Sequence, residues 1–305
     1  MNVLEIHQLS KSFGNKRVLH ELEMKVPENA IFGFVGKNGS GKTTTMKIIL
    51  GLLRADGGEV LVCGQTAKYG ETKTNRHIGY LPDVPEFYGY MTPMEYLSLC
   101  GEITGLSKKE THLKGEELLE LVGLGDEKRR IKAFSRGMKQ RLGVAQALIN
   151  EPKLLICDEP TSALDPIGRK QILDILLSIK GRTTVLFSTH ILSDMERICD
   201  YVALLDQGRI ALQGTLSEIS HRYQSNGYSI EFESNEQMEA YSLLGELQYF
   251  DLEIIREHRQ IKIKFADMTQ GGRLLLKLLS QKDLVPVRME RLEPSLEDLF
   301  TEVTQ

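Results

Sequence analysis

The residues with the clearest chemical meaning form one short stretch, residues 36–43, with the sequence GKNGSGKT. This stretch, called here the phosphate loop, directly follows the apolar run 31–35. Strand, glycine-rich loop and helix in this order are what the phosphate-binding motif GxxxxGK[ST] requires, and every fixed position is filled. Glycines let backbone N–H groups approach a polyanion, and the helix predicted over 42–53 directs its positive end at the same point. A plain strand-to-helix turn would not explain the Lys and Thr after the last glycine.

The predicted ligand of this loop is a nucleoside triphosphate. Lys42 is expected to lie against the β and γ phosphates as a point charge, and the Thr43 hydroxyl is expected to be a ligand of Mg²⁺. The other predicted contacts in this stretch are Gly36, Lys37, Asn38, Gly39, Ser40, Gly41 and Thr44.

Two acids end a second apolar run, 154–157. A continuous apolar run is typical of a strand buried on both faces of a parallel sheet, whose carboxyl end opens onto a site. Asp158 is predicted to hold Mg²⁺, and Glu159 to take the proton of an attacking water. His190 follows the next predicted strand, 183–188, and is expected to contact the γ-phosphate or to orient Glu159 and the water. The alternatives are surface charge for the acids and a structural role for His190.

A polar segment, FSRGMKQR at 134–141, precedes a predicted helix that carries Leu142, Ala145 and Leu148. Ser135 is a good N-cap for that helix. Ser and Gly at a helix start also form an anion nest, so we predict a second phosphate contact here. Its members are Ser135, Arg136, Gly137 and Met138.

In order and spacing these motifs resemble the nucleotide-binding subunit of an ATP-binding cassette (ABC) transporter, over essentially the whole chain. The phosphate loop matches Walker A, 154–159 matches Walker B, and 134–138 stands at the signature. Residues 162–165 match the D-loop, and His190 matches the switch histidine. The resemblance implies an ATPase that uses ATP and Mg²⁺ and closes as a head-to-tail dimer. Each ATP would lie between the phosphate loop of one subunit and the signature of the other.

The resemblance adds two nucleotide contacts, Phe13 and Asp165. The residues alone leave Phe13 open between stacking on adenine and packing in a core beside the turn 11–16, and the family position favours stacking. The chain departs from the family at Asp83, where a Gln normally joins Mg²⁺ to the helical region and the membrane partner. A carboxylate can still reach the metal, so Asp83 is predicted as a ligand. The signature has Arg136 for a Gly and Met138 for the final Gln, and activity is expected to survive because backbone N–H groups bind most of the phosphate.

Composition limits the remaining possibilities. A chain of 305 residues is about right for two domains, and a net charge of -4 argues against a protein that coats nucleic acid. We find no apolar run near the roughly 18 residues of a membrane span and no signal-peptide pattern. We therefore expect a cytoplasmic protein, peripheral on the inner face of the cell membrane, which contacts the membrane only through a separate permease. The four cysteines are widely spaced, which favours free, mostly buried thiols over zinc or disulfides.

The predicted fold class is α/β, a P-loop NTPase ABC cassette with a RecA-like core plus antiparallel β and helical subdomains. The cassette is expected over 1–220, with the helical subdomain at about 84–150, and a small C-terminal α+β accessory domain over 226–305. Alternating residues near 3–9 and 18–26 predict an antiparallel pair. Strands are also predicted at 57–62, 78–82 and within 201–211, and a helix at 168–180.

The accessory domain is expected to resemble a ferredoxin-like sandwich. Strands are predicted near 228–232 and 261–265, and helices near 237–247 and 271–281. A last helix is predicted from Pro294, with Ser295 and Asp298 in a capping box. This region looks like the accessory domain of bacterial export cassettes of the ABC-2 kind, which include those for drugs, lantibiotics and sodium.

The functional expectation is a pair of subunits that bind Mg-ATP, clamp together and act on a permease through residues at about 83–106. One alternative is a cassette ATPase that works on ribosomes or DNA, but two cassettes in one chain or a long coiled-coil insertion are missing. Another alternative is a regulatory module that binds ATP without hydrolysing it. Glu159 and His190 argue against that module.

Overall fold

The computed structural model describes residues 1–71, 73–222, 227–255 and 258–292, together with Leu296 and Leu299. The chain divides into two compact units, of which the first contains Met1–Leu216 and the second is Ser217–Glu302. In the described part of the chain, no helix has the length and apolar character needed to cross a membrane. All four cysteines are free, and burial raises the pKa of each thiol.

The strands of the first unit are β1 (Asn2–Phe13), β2 (Lys16–Pro27), β3 (Ile31–Val35), β4 (Gly57–Val62), β5 (Gln65–Thr66), β6 (Ile78–Leu81), β7 (Leu154–Asp158), β8 (Thr184–Thr189), β9 (Tyr201–Asp206) and β10 (Arg209–Thr215). Its helices are α1 (Lys42–Ile49), α2 (Pro93–Ile103), α3 (Lys108–Leu121), α4 (Arg136–Leu148), α5 (Pro166–Ser178) and α6 (Leu192–Ile198), and α7 (Leu216–Arg222) contains the division between the units.

A six-stranded sheet with the order β10-β9-β3-β8-β7-β6 forms the centre of the first unit. Its strands pair in parallel except for the edge strand β10. Every residue of β3, β7 and β8 is buried, and each strand contains an apolar run, at 31–35, 154–157 and 185–187. The carboxyl ends of these three neighbouring strands therefore lie at one edge of the sheet, and the predicted phosphate loop, acids and histidine follow them directly.

A second, antiparallel sheet has the order β2-β1-β4-β5. Its long β1 and β2 confirm the predicted antiparallel pair and extend it at both ends. Buried side chains of the two sheets form one hydrophobic cluster, which includes Leu4, Leu22, Phe32, Ile156 and Leu186.

The predicted helical region contains α2, α3 and α4. Thr92 with Glu95, and Ser107 with Glu110, form capping boxes that fix where α2 and α3 begin. Helix α4 packs closely on β6, because a Cβ at Gly79 would lie 2.1 Å from the Ala147 carbonyl oxygen. Glycine at this position therefore allows the helix that follows the signature to contact the sheet backbone.

Helix α1 is shorter than predicted. It ends at Ile49 rather than at residue 53. Gly51 has φ 69° and the Leu52 N–H bonds to the Lys47 carbonyl at 2.8 Å, so a left-handed glycine stops the helix.

The second unit contains β11 (Gly227–Glu231), α8 (Asn235–Ser242), β12 (Asp251–Ile255), β13 (Gln260–Lys264), α9 (Met268–Gln281) and β14 (Arg288–Arg291). All its strand pairs are antiparallel, in the order β12-β13-β11-β14. This β-α-β-β-α-β arrangement confirms the predicted ferredoxin-like fold.

The core of the second unit includes Ile230, Tyr241, Ile261 and Leu275. Helix α8 ends at Ser242, and a single 3₁₀ turn, Gly245–Leu247, replaces the rest of the predicted helix. Leu296 and Leu299 of the predicted last helix are helical and buried. Pro294, Ser295 and Asp298 lie outside the described residues.

Candidate functional site

The phosphate loop leaves β3 and curls around the start of α1. A Cβ at Gly36 would lie 2.5 Å from both the Leu205 carbonyl oxygen and the Ser40 Oγ, so only glycine fits. Gly39 and Gly41 have φ of 81° and 115°, which other residues rarely adopt. The Ser40 Oγ is buried and has no hydrogen-bond partner among the described residues. A glycine cradle with an unpartnered hydroxyl beside a helix start fits a phosphate group.

Lys42 places a buried cation at this loop. Its Nζ donates to the Gly36 carbonyl at 2.7 Å and lies 3.8 Å from the Glu159 Oε1. Burial lowers the pKa of Lys42, and the negative charges of Glu159 and Asp158 oppose that effect. The ammonium group is therefore held between the loop and the acids that end β7.

Thr43 and Asp158, two of the three predicted Mg²⁺ ligands, are in contact although they lie far apart in the sequence. The Thr43 Oγ1 donates to the Asp158 Oδ2 at 2.9 Å, and the Ser188 Oγ donates to the Asp158 Oδ1 at 2.8 Å. Hydroxyl and carboxylate oxygens suit Mg²⁺. No group of three or more His, Cys, Asp or Glu side chains arranged for a metal is present in the described ranges. The pair fits an ion that takes its remaining ligands from water and phosphate, as Mg²⁺ commonly does.

Glu159 and His190 also meet, with 2.8 Å between the Glu159 Oε2 and the His190 Nδ1. The Glu159 N–H bonds to both the carbonyl and the Oγ of Ser188, each at 3.1 Å. Glu159 has φ 49°, a left-handed conformation that is unusual for a residue with a side chain. Ser188 therefore holds both acids, as donor to Asp158 and as acceptor from Glu159.

Phe13 lies at the end of β1 and is 50% exposed, so the alternative of a core residue is wrong. The Lys11 Nζ lies 5.3 Å from the centre of its ring, and the same ammonium pairs with Asp56 at 2.8 Å. The ring is accessible for stacking on a base, which stays a prediction.

The signature segment, residues 134–138, begins α4. Ser135 is the N-cap, and its Oγ accepts from the Met138 N–H at 3.2 Å. Ser135 and Arg136 are exposed. Within the described part of the chain, no hydrogen bond or ion pair joins this segment to the phosphate loop. Its predicted contact with a phosphate stays a prediction.

The remaining predicted residues have other partners. Asp165 caps α5, with its Oδ1 accepting from the Gly168 N–H at 3.0 Å. The Asp83 Oδ1 lies 3.4 Å from the Arg136 Nη2. Two of the three positions at which the chain departs from the family pattern, Asp83 and Arg136, thus form an ion pair with each other. The predicted roles of Asp83 at the metal and of Asp165 at the nucleotide stay predictions.

Two residues that hold the site were not predicted, Ser188 and Gln140. Ser188 is a polar residue directly after the apolar run 185–187 of β8, and Gln140 is a polar residue on the inner face of α4. Both are fully buried. A polar residue at a core position beside recognised site residues is the signal that could have found them.

Comparison with known proteins agrees with this geometry. The family model for "ABC transporter" matches residues 19–162, and the model for "ATP-binding protein DrrA1-3-like, C-terminal domain" matches residues 214–304. The uncharacterized ABC transporter ATP-binding protein YxlF of Bacillus subtilis (strain 168) is 39% identical over 303 residues, which cover 99% of each chain. The bacitracin transport ATP-binding protein BcrA of Bacillus licheniformis is 34% identical, over 99% of this chain and 97% of its own.

Solved structures are similar to most of the chain. One described as the ATP-binding subunit of an ABC transporter has 33% identity and a TM-score of 0.66, covering 72% of this chain and 93% of its own. Another, cbiO1 from Clostridium perfringens, has a TM-score of 0.67 over 80% of this chain and 96% of its own. At 23% identity, cbiO1 supports the fold alone.

Proposed function

This chain belongs to the family of ABC transporter ATP-binding subunits, and we propose that two copies close head to tail on ATP to drive a separate transmembrane permease. The family is one of ATPases that bind ATP. One observation carries the assignment of the site. Three groups of residues meet at the carboxyl ends of β3, β7 and β8: the phosphate loop with Lys42, the Thr43–Asp158 pair and the Glu159–His190 pair.

These groups can hydrolyse ATP by positioning and charge stabilisation. The loop N–H groups, the start of α1 and the Lys42 ammonium oppose the phosphate charge. Glu159 takes the proton of the attacking water, and His190 orients the Glu159 carboxylate through their 2.8 Å contact. Thr43 and Asp158 would hold Mg²⁺, which supplies neutralising charge to the β and γ phosphates when it is bound.

The position of the signature segment supports the proposed dimer. The first turn of a helix has N–H groups without intrahelical partners and a positive dipole end, so it binds phosphate well. In α4 this turn is exposed at Ser135 and Arg136. A second copy would bring it against the nucleotide on the phosphate loop, and each site would then contain parts of both chains.

Mixing two inactive variants tests this arrangement. We expect Ser135→Glu to lower ATPase activity by about 30-fold, because a carboxylate in place of the hydroxyl repels the partner's nucleotide. Lys42→Met is expected to be inactive through the phosphate loop. A mixed dimer has one site with both changes and one with neither, so mixing should restore up to about a quarter of the parental activity. Steady-state phosphate release measures the recovery.

Ser107→Glu is the matched control, because Ser107 caps α3 as Ser135 caps α4. It should keep nearly parental activity if the loss in Ser135→Glu is not a capping effect. If the parental protein hydrolyses ATP with a Hill coefficient of about one, so that each site works without nucleotide at the other, mixtures that stay as inactive as the separate variants would contradict the head-to-tail site.

The proposed permease contact is the surface formed by residues at about 83–106. Apolar side chains are exposed there, including Val84, Tyr88, Tyr90 and Ile103. Exposed apolar side chains grouped on a surface mark protein interaction sites. This surface also contains Asp83 beside the signature segment, so a partner here could sense the nucleotide state. We place the protein on the cytoplasmic face of the membrane, held by the permease.

The printed names of two matches support a proposal for the class of cargo. BcrA is named for bacitracin transport, and the C-terminal match is to a DrrA1-3-like domain. We propose that this chain powers export of a drug-like or antibiotic-like compound.

Purification from the native host tests the transport function. We expect the tagged protein to copurify from the membrane fraction with a multi-span protein, and Tyr90→Glu to reduce that recovery at least about fivefold by placing charge in an apolar contact. Tyr69→Glu is the control, because Tyr69 is 63% and Tyr90 64% exposed but only Tyr90 lies in the proposed surface. Recovery with ribosomes or DNA instead would favour the non-transport alternative.

A further inference from the structure

Gln140 connects helix α4 to the loop that follows β6 and to the loop that follows β7. Its side chain is 0% exposed. The Nε2 donates to the Pro160 carbonyl at 3.2 Å, directly after Glu159, and to the Asp83 carbonyl at 3.1 Å. The Oε1 is buried without a hydrogen-bond partner among the described residues.

The orientation of this amide is fixed by its neighbours. Both contacts are carbonyl oxygens, so only the NH₂ group can face them, since the amide oxygen would meet two other acceptors. A buried acceptor without a partner costs stability. Packing alone would favour an apolar residue here, so the two donated bonds point to a role at the loops.

The backbone of Glu159 explains what those bonds can do. At φ 49° the residue is in a strained region that persists only where its surroundings hold it. On the N-terminal side, Ser188 binds the Glu159 N–H through two oxygens at 3.1 Å. On the C-terminal side, Gln140 holds the Pro160 carbonyl at 3.2 Å. The two contacts together keep the carboxylate in its position beside His190.

We propose that Gln140 is a positioning residue, which sets the conformation of Glu159 and links it to the signature segment. Gln140 lies in the second turn of the helix that Ser135 begins, and a helix moves as a rigid element. When the partner's nucleotide binds at Ser135, α4 shifts and the bond to Pro160 carries the shift to Glu159. One nucleotide would thereby align the catalytic carboxylate that acts on the other. This coupling rests on the proposed head-to-tail dimer.

Gln140→Met tests the proposal, because it keeps the length of the side chain and removes both donated bonds. We expect kcat to fall about tenfold, KM for ATP to stay within about twofold, and the Hill coefficient of hydrolysis to fall to about one. A purely structural role would lower activity only in proportion to the folded fraction. Circular dichroism and the melting temperature measure that fraction.

Gln146→Met is the matched control, since Gln146 lies on the same helix and its Oε1 accepts from the Tyr96 hydroxyl at 3.2 Å, without a bond to either loop. It should keep the parental kcat and Hill coefficient. Gln140→Glu is a second variant, which puts an acceptor against the two carbonyls and should lower kcat at least as much.

Two outcomes would overturn the inference. If folded Gln140→Met or Gln140→Glu has the parental kcat and Hill coefficient, Gln140 does not position Glu159. If Gln146→Met loses as much kcat, the effect is one of helix packing. If either outcome occurs but mixing restores activity, the proposed dimer still stands and only the coupling is overturned. If mixing fails and the parental protein has a Hill coefficient of one, the dimer and the coupling are overturned together.

Discussion

Glu159→Gln is expected to lower the rate of ATP hydrolysis by roughly 10²- to 10³-fold, within the range of general-base contributions. The amide has the size of the carboxylate and can still hydrogen-bond to His190, but it cannot take a proton from water. ATP binding depends on the phosphate loop and Lys42, so affinity should remain near the parental value.

The same variant should accumulate as an ATP-bound dimer, because closure occurs and the step that reopens it does not. Light scattering after gel filtration with Mg-ATP measures the dimer, and phosphate release measures turnover. Glu28→Gln is the control, since Glu28 is an exposed acid outside the site. Hydrolysis at the parental rate in purified Glu159→Gln would mean that Glu159 is not the base.

Lys42→Met is expected to lower kcat/KM by roughly 10³-fold, because it removes a preorganised, charged donor from the site of the phosphates. Unlike Glu159→Gln, it should also weaken ATP binding, since the charge acts on bound ATP as well as on the transition state. The buried position of Lys42 makes this charge effective, because little water screens it.

Fluorescent ATP-analogue titration and steady-state kinetics separate the two effects of Lys42→Met. Lys47→Met is the matched control, because Lys47 is an exposed lysine in the last turn of the same helix α1. It should behave as the parent does. Parental affinity in a folded Lys42→Met variant, judged by its melting temperature, would contradict the assigned role.

The central fold could be predicted because its strands are buried on both faces and have continuous apolar sequences. The residues of β3 and β7 read as strands without any knowledge of their neighbours, and the motif residues follow their ends. The ferredoxin-like unit was also predictable, since the alternation in β11 and β13 and the apolar stripe of α9 are clear.

Strands β12 and β14 and the short helix α6 were not predicted from the sequence. Strands β12 and β14 are at the edges of their sheet and mostly expose charged residues, which protects an edge from pairing but hides the strand from a hydrophobic pattern. Helix α6 has no side-chain cap at Ile191, so no start signal precedes it.

The contacts around the acids depend on the folded arrangement of distant residues. Ser188 and Asp158 meet only because β7 and β8 are neighbours, and Asp83 meets Arg136 across 53 positions of sequence. A motif indicates which residues bind phosphate or metal. It does not indicate which buried amide or hydroxyl keeps the catalytic carboxylate in place.

The left-handed backbone at Glu159 has a consequence for engineering this chain. Ala163, in the loop that follows, has a similar φ of 50°. Glycine tolerates such angles with less strain, so a screen for thermostability alone would favour glycine at both positions. Glycine at position 159 would remove the carboxylate that acts as general base, and ATP hydrolysis would be lost. Directed evolution of a more thermostable protein therefore has to select for stability and for ATP hydrolysis at the same time.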